Sequence, residues 1–150
     1  SLAEALYERA DSNSPGCGAA GGLGFALNAF LDAEILSGAN AIIEFAHIED
    51  ILKASDLIIT GEGKMDISSS FGKAPNLIGK IGHKHHIPVW AFVGSLGKGY
   101  EKAMEGAIDA VFPIVKRAMS LEEACRPSVA KANLERATKE AFGELKKISI

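Results

Sequence analysis

Two kinds of apolar pattern alternate along the chain. Apolar residues recur every three or four positions through 19–36, with Leu23, Leu27, Phe30 and Leu31 on one face, and this spacing predicts a helix. Short continuous runs rich in β-branched residues predict buried strands instead. The predicted helices are 19–36, 48–55, 74–86, 99–106 and a C-terminal helix, and the predicted strands are 41–45, 56–60, 88–94 and 109–114.

The C-terminal helix has the clearest pattern of these elements. One apolar stripe runs along it, formed by Ala130, Leu134, Ala137, Ala141 and Leu145. The chain also begins with a helix-like segment, "SLAEALYERA", which has no initiator Met. We interpret this start as a cut made inside a longer protein.

Strands that alternate with helices at these spacings pair in parallel through crossovers, and the helices cover both faces of the sheet. The sequence therefore predicts a single three-layer α/β domain over residues 1–150. The sheet is expected to be mostly parallel and the fold to be of the flavodoxin-like type. In such sheets the ligand site lies beyond the carboxyl ends of the strands. Two of these ends are glycine-rich: "TGEGK" follows the strand at 56–60, and "GSLGKG" follows the strand at 88–93.

Composition excludes several classes of protein. Charged residues make up 23% of the chain and hydrophobic ones 47%, which is ordinary for a soluble globular protein. The net charge of −3 and the interspersed lysines and arginines argue against nucleic acid as a partner. No apolar run is long enough to span a bilayer, so we expect no membrane association. Cys17 and Cys125 are interpreted as reduced thiols of a cytoplasmic protein.

The glycine-rich segment "PGCGAAGGLG" partly matches a dinucleotide fingerprint. Gly16, Gly18 and Gly21 satisfy its spacing, but no strand precedes them, so a nicotinamide or flavin site is rejected. At a helix start, Gly18, Gly21 and Gly22 would still let backbone N–H groups approach a phosphate. Close packing of the glycines against a neighbouring element is the alternative, and the sequence leaves both open. Cys17 is interpreted as a small residue in a tight place.

The segment "ITGEGKMDISSSFGKAP", residues 59–75, concentrates charge and glycine after an apolar run. It is not a P-loop, because Ile67 and Ala74 occupy positions where that motif requires Gly and Ser or Thr. Lys73 precedes Pro75, a favoured first-turn residue, so its ammonium is predicted beside a helix N-terminus. A positive charge is unfavourable there unless an anion accompanies it. This placement favours a functional lysine over a solvated one.

Two carboxylates lie in the same segment. Glu62 and Asp66 could hold Mg²⁺, which takes one or two carboxylates together with waters and phosphate oxygens, or one of them could accept a proton. The alternative is that Asp66 begins an Asx-turn and Glu62 is merely exposed. Phosphoryl transfer requires acidic residues, lysines and glycines together. Their presence in one segment therefore favours a functional role for Glu62 and Asp66.

The remaining polar cluster is "HKHH", residues 83–86. His83 and His86 could share a helix face and bind a metal. We favour a C-terminal cap, in which the imidazoles complement the helix dipole before Pro88 ends the helix. Trp90 and Phe92 alternate within a predicted buried strand and are assigned to the core.

Several segments together resemble the C-terminal part of the bacterial glycerate kinase family, of the glycerate 2-kinase type. They are "PGCGAAGGLGFAL", "DLIITGEGKMD", "GKAP", "IPVWAFVGSLG" and "AIDAVFPI", and the resemblance covers essentially all of residues 1–150. It implies ATP and Mg²⁺, glycerate as phosphate acceptor, and phosphoglycerate as product. It also implies a two-domain enzyme with its site in the cleft between domains. This chain would form most of the permuted flavodoxin-like domain, and the missing N-terminal region of the same enzyme would be its partner.

The resemblance carries over residue by residue. Six residues match the family motif: Gly61, Glu62, Gly63, Asp66, Gly72 and Lys73. Lys64 stands where family members usually have Arg, and Ser68 where they usually have Gln. A lysine lacks the forked contact that arginine offers to a carboxylate, so the binding of the acid would differ here.

The resemblance also implies roles for these residues. Asp66 would orient and deprotonate the hydroxyl of glycerate, while Lys73 and the backbone at Gly18, Gly21 and Gly22 would neutralise the transferring phosphoryl group. Mg²⁺ would be held by Glu62 and Asp66. Substrate would be bound by Lys64, Ser68 and Ser95, and phosphate also by Gly61, Gly63 and Gly72.

Other functions stay open at this point. A non-catalytic α/β module that binds an anion or a partner protein is one alternative, and a kinase of another small hydroxy acid or sugar is a second. The isolated chain could be folded yet inactive. Whether it forms a homodimer is also left open.

Overall fold

The computed structural model describes residues 11–148, with side chains as far as residue 143. The helix-like start at residues 1–10 and the side chain of Leu145 therefore lie outside the described part. The chain divides into two compact units, residues 1–42 and residues 43–150.

The first unit contains helix α1 (Ala19–Leu31) and the start of helix α2 (Gly38–Phe45). The path of α1 is irregular near its beginning, because φ is positive at Ala20, Gly21 and Gly22, at 50°, 70° and 96°. The helix ends at Leu31, where Asp32 adopts a left-handed conformation with φ 55°. The predicted helix over 19–36 is therefore confirmed in type and ends earlier than expected.

The strand predicted at 41–45 is wrong. These residues belong to helix α2, in which the Ala41 N–H donates to the Ser37 carbonyl at 2.9 Å. A run of four or five apolar residues has no periodicity that separates a strand from a helix segment. Ile42 and Phe45 are also 65% and 85% exposed, unlike residues of a buried strand.

The second unit is an α/β fold around a parallel sheet. Among the described residues the sheet has three strands in the order β1-β2-β3, all parallel, as predicted. Its elements in chain order are α3 (Ile48–Leu52), β1 (Ile58–Met65), a short 3₁₀ helix (Ile67–Ser70), α4 (Ala74–Lys84), β2 (Val89–Leu96), α5 (Tyr100–Met104), β3 (Ala110–Pro113), α6 (Leu121–Ala124) and α7 (Pro127–Ile148).

Helices cover both faces of this sheet. The central strand β2 alternates strictly from Val89 to Val93. Val89, Ala91 and Val93 join one apolar cluster with residues of α4 and α5. Trp90 and Phe92 join a second cluster with Ala137 and Ala141 of α7. The layered arrangement predicted from the sequence is thus present in this unit, and Trp90 and Phe92 are core residues as expected.

Only part of the predicted apolar stripe of helix α7 is buried. Ala137 and Ala141 are buried, whereas Leu134 is 44% exposed. Its other faces carry charged side chains, including the ion pair of Arg136 with Glu140. No helix within the described residues combines the length and the apolar character that a membrane crossing requires.

Candidate functional site

The motif "GEGK" lies inside strand β1. The predicted strand end at Thr60 is wrong, because the strand continues to Met65, with Glu62 paired to Val93 and Lys64 paired to Ser95 of β2. Glycine is a poor strand residue, and here the pairing with β2 outweighs that weak propensity. Close approach also requires glycine: a Cβ on Gly61 would lie 2.5 Å from the Phe92 carbonyl oxygen.

The segment after β2 packs against the end of β1. The Gly97 N–H donates to the Met65 carbonyl at 2.7 Å, and the Ile67 N–H donates to the Lys98 carbonyl at 3.2 Å. A Cβ on Gly97 would lie 2.7 Å from Lys64 Cε and 2.8 Å from Asp66 Cβ. The absence of a side chain at Gly97 therefore allows Lys64 and Asp66 to pack closely against its backbone. Sequence reasoning missed it, although the glycine-rich run after the strand was the available signal.

Asp66 caps the short 3₁₀ helix that follows β1. Its Oδ1 accepts hydrogen bonds from the Ser68 N–H at 3.0 Å and from the Ser68 hydroxyl at 2.6 Å. In return, the Ser69 hydroxyl accepts a hydrogen bond from the Asp66 N–H at 3.3 Å, which completes a capping box. The Asx-turn alternative for Asp66 is therefore confirmed as a description of its geometry. Ser69, which is buried, was missed, although an Asp followed three residues later by Ser signals a reciprocal cap.

The same contacts set the charge of Asp66. The Ser68 hydroxyl and then the Ser68 N–H lower the pKa of the Asp66 carboxyl, and Lys64 adds a smaller effect. Lys64 Nζ lies 3.5 Å from Oδ2. Hydrogen bonds and positive charge both favour the ionised form, so the carboxylate is negative at neutral pH. Oδ2 lies near the ammonium group of Lys64, which a substrate could displace, whereas Oδ1 is hydrogen-bonded to Ser68 of the same cap.

Glu62 and Lys73 connect β1 to the N-terminus of α4. Lys73 is the N-cap residue of α4, with Pro75 in the first turn, as predicted. Its Nζ lies 3.7 Å from Glu62 Oε2, and the Glu62 side chain is only 13% exposed. The alternative that Glu62 is merely exposed is therefore wrong. The anion expected beside Lys73 is thus present within the chain, in the form of Glu62.

One oxygen of this pair has no partner within the described residues. Glu62 Oε1 is buried and makes no hydrogen bond. A buried acceptor left unsatisfied costs about 1–3 kcal/mol, so a donor or cation from outside these residues would stabilise it. No group of three or more His, Cys, Asp or Glu suited to a metal occurs in residues 11–148. The donor set fits a Mg²⁺ ion held largely by waters and phosphate oxygens, with Glu62 as one protein ligand.

The other predicted site residues lie around these two ion pairs. Ser68 and Ser95 are exposed, and Lys64 lies opposite Ser95 in the strand register. Gly72 has φ +76°, a left-handed conformation that turns the chain into Lys73. The structure thus brings Glu62 to Lys73, Lys64 to Asp66, and Ser68 to Asp66. Their roles with substrate stay predictions.

In the first unit, the segment "PGCGAAGGLG" is predicted either to pack closely against a neighbouring element or to bind phosphate, and its glycines divide between these two alternatives. Gly16 and Gly24 are packed closely: a Cβ on Gly16 would lie 2.5 Å from Ile35, and one on Gly24 would meet the Gly16 carbonyl. A Cβ on Gly18, Gly21 or Gly22 would meet nothing within 4 Å. Gly18, Gly21 and Gly22 therefore have open space beside their Cα atoms, and phosphate binding by them stays a prediction.

Cys17 is buried beside these glycines. Its Sγ donates to the Asp11 carbonyl at 3.3 Å. The interpretation of Cys17 as a small residue in a tight place agrees with this packing. Cys17 and Cys125 are both free thiols, as expected.

The histidines lie at the other end of α4. His83 is in its last turn, and His83 Nε2 lies 3.2 Å from Asp109 Oδ2. His85 Nε2 and Lys84 Nζ both contact Glu49 Oε1, at 2.7 Å and 2.6 Å. The predicted C-terminal position is confirmed, and these side chains pair with carboxylates instead of gathering around a metal within the described residues.

Comparisons with known proteins identify the family of this chain. The model of the family described as "Glycerate kinase family" matches residues 1–146. A glycerate kinase of Halalkalibacterium halodurans is 46% identical over 110 residues, which cover 73% of this chain and 29% of that protein. The glycerate 2-kinase of Escherichia coli strain K12 is 40% identical over 112 residues, covering 75% of this chain and 29% of that protein.

A solved structure is similar as well. The crystal structure of a protein assigned as glycerate kinase 2 from Salmonella typhimurium LT2 superposes with a TM-score of 0.59 at 32% identity, covering 87% of this chain and 34% of the other. The chain therefore spans about a third of the length of these relatives. Since the family model matches nearly the whole chain, the chain belongs to the glycerate kinase family.

Proposed function

We propose that the enzyme containing this chain transfers the γ-phosphoryl group of ATP to the 2-hydroxyl of glycerate, giving phosphoglycerate. The observation that carries the proposal is the junction of β1 and α4, where Glu62 Oε2 and Lys73 Nζ lie 3.7 Å apart within the family motif. Phosphoryl transfer relies on positioning and countercharge, and this junction supplies a cation at a helix N-terminus. The similar Escherichia coli protein is named a glycerate 2-kinase, which favours the 2-hydroxyl.

Each charged residue takes a role that its contacts support. Asp66 accepts the proton of the substrate hydroxyl at Oδ2. This oxygen lies near Lys64, whereas Oδ1 is hydrogen-bonded to Ser68. Lys64 and the exposed Ser68 and Ser95 bind the glycerate, with Lys64 moving from Asp66 to the carboxylate of the acid. Lys73 neutralises charge on the phosphoryl group as it is transferred. Phosphate oxygens are bound by the backbone of Gly61, Gly63 and Gly72.

Mg²⁺ would neutralise and orient the ATP phosphates when bound. Glu62 would hold it through Oε1, the buried oxygen that lacks a partner. Asp66 is the weaker candidate ligand, because Ser68 occupies its Oδ1. The accessible glycines of the first unit, Gly18, Gly21 and Gly22, are proposed separately as a phosphate-binding segment. We assign the enzyme to the cytoplasm, where ATP is available, and the chain to a permuted flavodoxin-like domain of a two-domain enzyme.

The test uses the full-length enzyme in which this chain occurs. Purified enzyme is supplied with ATP, Mg²⁺ and glycerate, and the product is identified by phosphorus NMR as 2- or 3-phosphoglycerate. Other small hydroxy acids and sugars are supplied in parallel at equal concentration. We expect glycerate to give the highest kcat/KM and 2-phosphoglycerate to be the product. A higher kcat/KM for another acceptor would overturn the choice of substrate, and no ATP consumption with any acceptor would overturn the kinase proposal.

A second candidate is a module that binds an anion or a partner without catalysis. The short span of the chain relative to its kinase relatives favours it for the isolated 150 residues. Calorimetry with ATP–Mg²⁺ and a glycerate assay on the same preparation separate the two. Binding without turnover supports the module for the isolated chain, and turnover at the rate of the full-length enzyme removes it.

A further inference from the structure

Asn76 is a buried polar residue in the first turn of α4. It is 3% exposed, and among the described residues only Ser69 is another polar or charged residue buried to this degree. Asparagine is rarely buried, because its amide loses hydrogen bonds with water. Pro75 and Gly79, its neighbours on α4, are buried without a polar side chain. Packing alone would favour an apolar residue here, so the amide of Asn76 requires another explanation.

Only one half of this amide has a partner within the described residues. Nδ2 donates to the Ala103 carbonyl at 3.1 Å, and Ala103 lies in the last turn of α5, where carbonyls lack a partner in their own helix. Oδ1 is buried and makes no hydrogen bond. Turning the amide over would direct its oxygen at a carbonyl, so Ala103 fixes the orientation. The gain from one hydrogen bond is offset by an unpaired oxygen, so Asn76 is a poor choice for stability alone.

The hydrogen bond joins the helix that carries Lys73 to α5. The N–H groups of Asn76 and Leu77 both donate to the Lys73 carbonyl at 3.1 Å. The cation that contacts Glu62 therefore belongs to the same helical turn as the amide. A shift of Asn76 relative to Ala103 would move Lys73 with it.

At its other end, the hydrogen bond reaches the element that follows the segment packed against Asp66. Helix α5 directly follows the glycine-rich segment after β2. In that segment, a Cβ on Gly97 would lie 2.8 Å from Asp66 Cβ, and the Lys98 carbonyl accepts from the Ile67 N–H at 3.2 Å. The hydrogen bond therefore connects, through α5, the Lys73 end of the candidate site to the Asp66 end.

No direct contact provides the same connection. Within residues 11–148, Lys73 pairs with Glu62 and Asp66 pairs with Lys64, and no ion pair or hydrogen bond joins Lys73 to Asp66. Their separation therefore depends on how α4 is held against its neighbours.

Packing alone leaves the position of α4 along its own axis less defined. Gly79, one turn after Asn76, lies directly on the backbone of Ala107. A glycine presents no side chain that could interlock with the neighbouring element, and apolar contact is non-directional. The hydrogen bond to a single carbonyl supplies the direction that this contact lacks.

We propose that Asn76 is a positioning residue for phosphoryl transfer, and that its hydrogen bond to Ala103 sets the separation of Lys73 from Asp66. The inference rests on the proposed function, in which Lys73 meets the phosphoryl group and Asp66 meets the acceptor hydroxyl. Transfer requires both reactants in near-attack geometry, and a misplacement of about 1 Å can lower the rate about a hundredfold. A directional hydrogen bond between the two helices prevents such a misplacement.

The test introduces Asn76→Ala into the full-length enzyme that contains this chain. The substitution removes the donor and the unpaired oxygen together, and alanine is the better helix former, so the temperature of unfolding should change little. The kcat should fall about 10–100-fold, because the two ends of the site are no longer aligned. The KM for glycerate and the Kd for ATP–Mg²⁺ should stay within about threefold, because each end keeps its own binding residues.

A double mutant shows whether Asn76 acts through Asp66. In Asp66→Asn the proposed base is already absent, so its alignment with Lys73 no longer affects the rate. Adding Asn76→Ala to Asp66→Asn should therefore lower kcat by at most about twofold, whereas independent effects would multiply. A merely structural role of Asn76 would not produce this difference.

Ala141→Gly provides the matched control for stability. Ala141 is 2% exposed on α7, which packs on the other face of the sheet, and glycine weakens a helix. This variant should unfold at a lower temperature and keep the wild-type kcat wherever it is folded. If Asn76→Ala fails to fold, Asn76→Ser takes its place, because a serine hydroxyl can bond a carbonyl of the preceding turn. Its side chain is one atom shorter than the amide that reaches Ala103, so the same fall in kcat is expected.

Two outcomes would overturn this inference while the kinase proposal stands. In one, wild type turns over and the folded Asn76 variant has a kcat within about threefold of it. In the other, Asn76→Ala lowers kcat as much in the Asp66→Asn enzyme as in wild type. Failure of the proposed function is seen separately, since the wild-type enzyme would then consume no ATP with any acceptor, and this inference would fall with it.

Discussion

Asp66 has one observed role, as a helix cap, and one proposed role, as a proton acceptor, and the two make different demands on its side chain. As a helix cap it needs an oxygen that accepts from the Ser68 N–H, and an amide oxygen can do that. As a proton acceptor it needs a carboxylate, which only the ionised acid provides. The two tasks use different oxygens, since Ser68 contacts Oδ1 and Lys64 faces Oδ2. Substitution by the isosteric amide therefore separates them.

In the full-length enzyme, Asp66→Asn should lower kcat by about 10²–10⁴-fold, because the proton acceptor is lost. The temperature of unfolding should change little, since Asn and Asp are comparable N-caps. Ser70→Ala is the control: it removes the 2.7 Å hydrogen bond from the Ser70 hydroxyl to the Ile67 carbonyl on the same 3₁₀ helix and leaves Asp66 and the proposed substrate-binding residues in place. Steady-state kinetics and thermal unfolding of both variants check this. A kcat for Asp66→Asn within threefold of wild type would remove Asp66 from the role of base.

Lys64 is one of two positions, with Ser68, at which the resemblance implies a departure from the family pattern. Lysine presents one point charge to a carboxylate, whereas arginine presents two parallel N–H donors. Lys64→Arg in the full-length enzyme should therefore lower the KM for glycerate about three- to tenfold with little change in kcat. Lys98→Arg, on the adjoining segment, is the matched control and should leave KM unchanged. An unaltered KM in Lys64→Arg would mean that Lys64 does not contact the acid.

At the scale of elements, ion pairs connect both ends of α4 to neighbouring elements. Its N-terminal Lys73 contacts Glu62 of β1, and its C-terminal Lys84 and His85 contact Glu49 of α3. Between them, Gly79 lets the helix lie directly on the backbone of Ala107. The position of Lys73 is thus determined by the packing of the whole helix.

Gly79→Ala should therefore destabilise the chain, although alanine is the better helix former. The added Cβ would meet the carbonyl group of Ala107, and overpacking of this kind costs about 1–3 kcal/mol. Gly143→Ala in α7 is the matched control, because nothing lies within 4 Å of a Cβ there. It should stabilise the chain by up to about 1 kcal/mol. Urea unfolding of the 150-residue chain gives both values, and equal signs would contradict the packing of α4.

The link between α3 and α4 should make stability depend on pH. Hydrogen bonds from Lys84 and then His85 lower the pKa of Glu49 from its ordinary value of 4.5. A carboxyl with a lowered folded pKa adds stability above its ordinary pKa and loses it as pH falls through the lowered value. Wild type should therefore unfold at a higher temperature than Glu49→Gln at neutral pH, and the difference should shrink below pH 4.5. A difference that grows on acidification would contradict this sign.

Periodicity predicted the second unit better than the first. The strands predicted at 56–60, 88–94 and 109–114 correspond to Ile58–Met65, Val89–Leu96 and Ala110–Pro113, and the predicted C-terminal helix corresponds to α7, because burial itself imposes apolar runs and stripes. The segment 41–45 failed because its apolar residues are too few to show a period. The extension of β1 through Gly61 and Gly63 depends on pairing with β2, a contact that no local pattern encodes.

The site shows the same division. The motif identified Glu62, Asp66 and Lys73, and the cap at Asp66 was foreseeable from its own chemistry. The ion pair of Glu62 with Lys73 and the packing of Gly97 under Lys64 were not, because each joins segments that come together only in the fold.

At the scale of the whole molecule, the proposed function assigns the described residues to one side of a catalytic site. Phosphoryl transfer requires that the acceptor and the phosphates be held in line and shielded from water. Ser68, Ser95 and Lys64 are exposed, and the β1 edge beside Glu62 has no strand neighbour within residues 11–148. The proposed function therefore requires further residues, beyond those described, to enclose the reactants.

The isolated 150-residue chain should consequently have no measurable glycerate kinase activity, while the full-length enzyme turns over at an ordinary rate of about 1–100 s⁻¹. Without further residues to enclose the reactants, the proposed site lacks orientation and water exclusion, which together contribute about 7–11 kcal/mol to such reactions. A coupled ADP assay on both proteins at equal concentration measures the difference, and circular dichroism confirms that the isolated chain is folded. Activity of the folded chain within a hundredfold of the full-length enzyme would show that the site is complete in these residues. In that case Asp66→Asn in the isolated chain should abolish the activity, which would place the reaction at the β1–α4 junction without help from another segment.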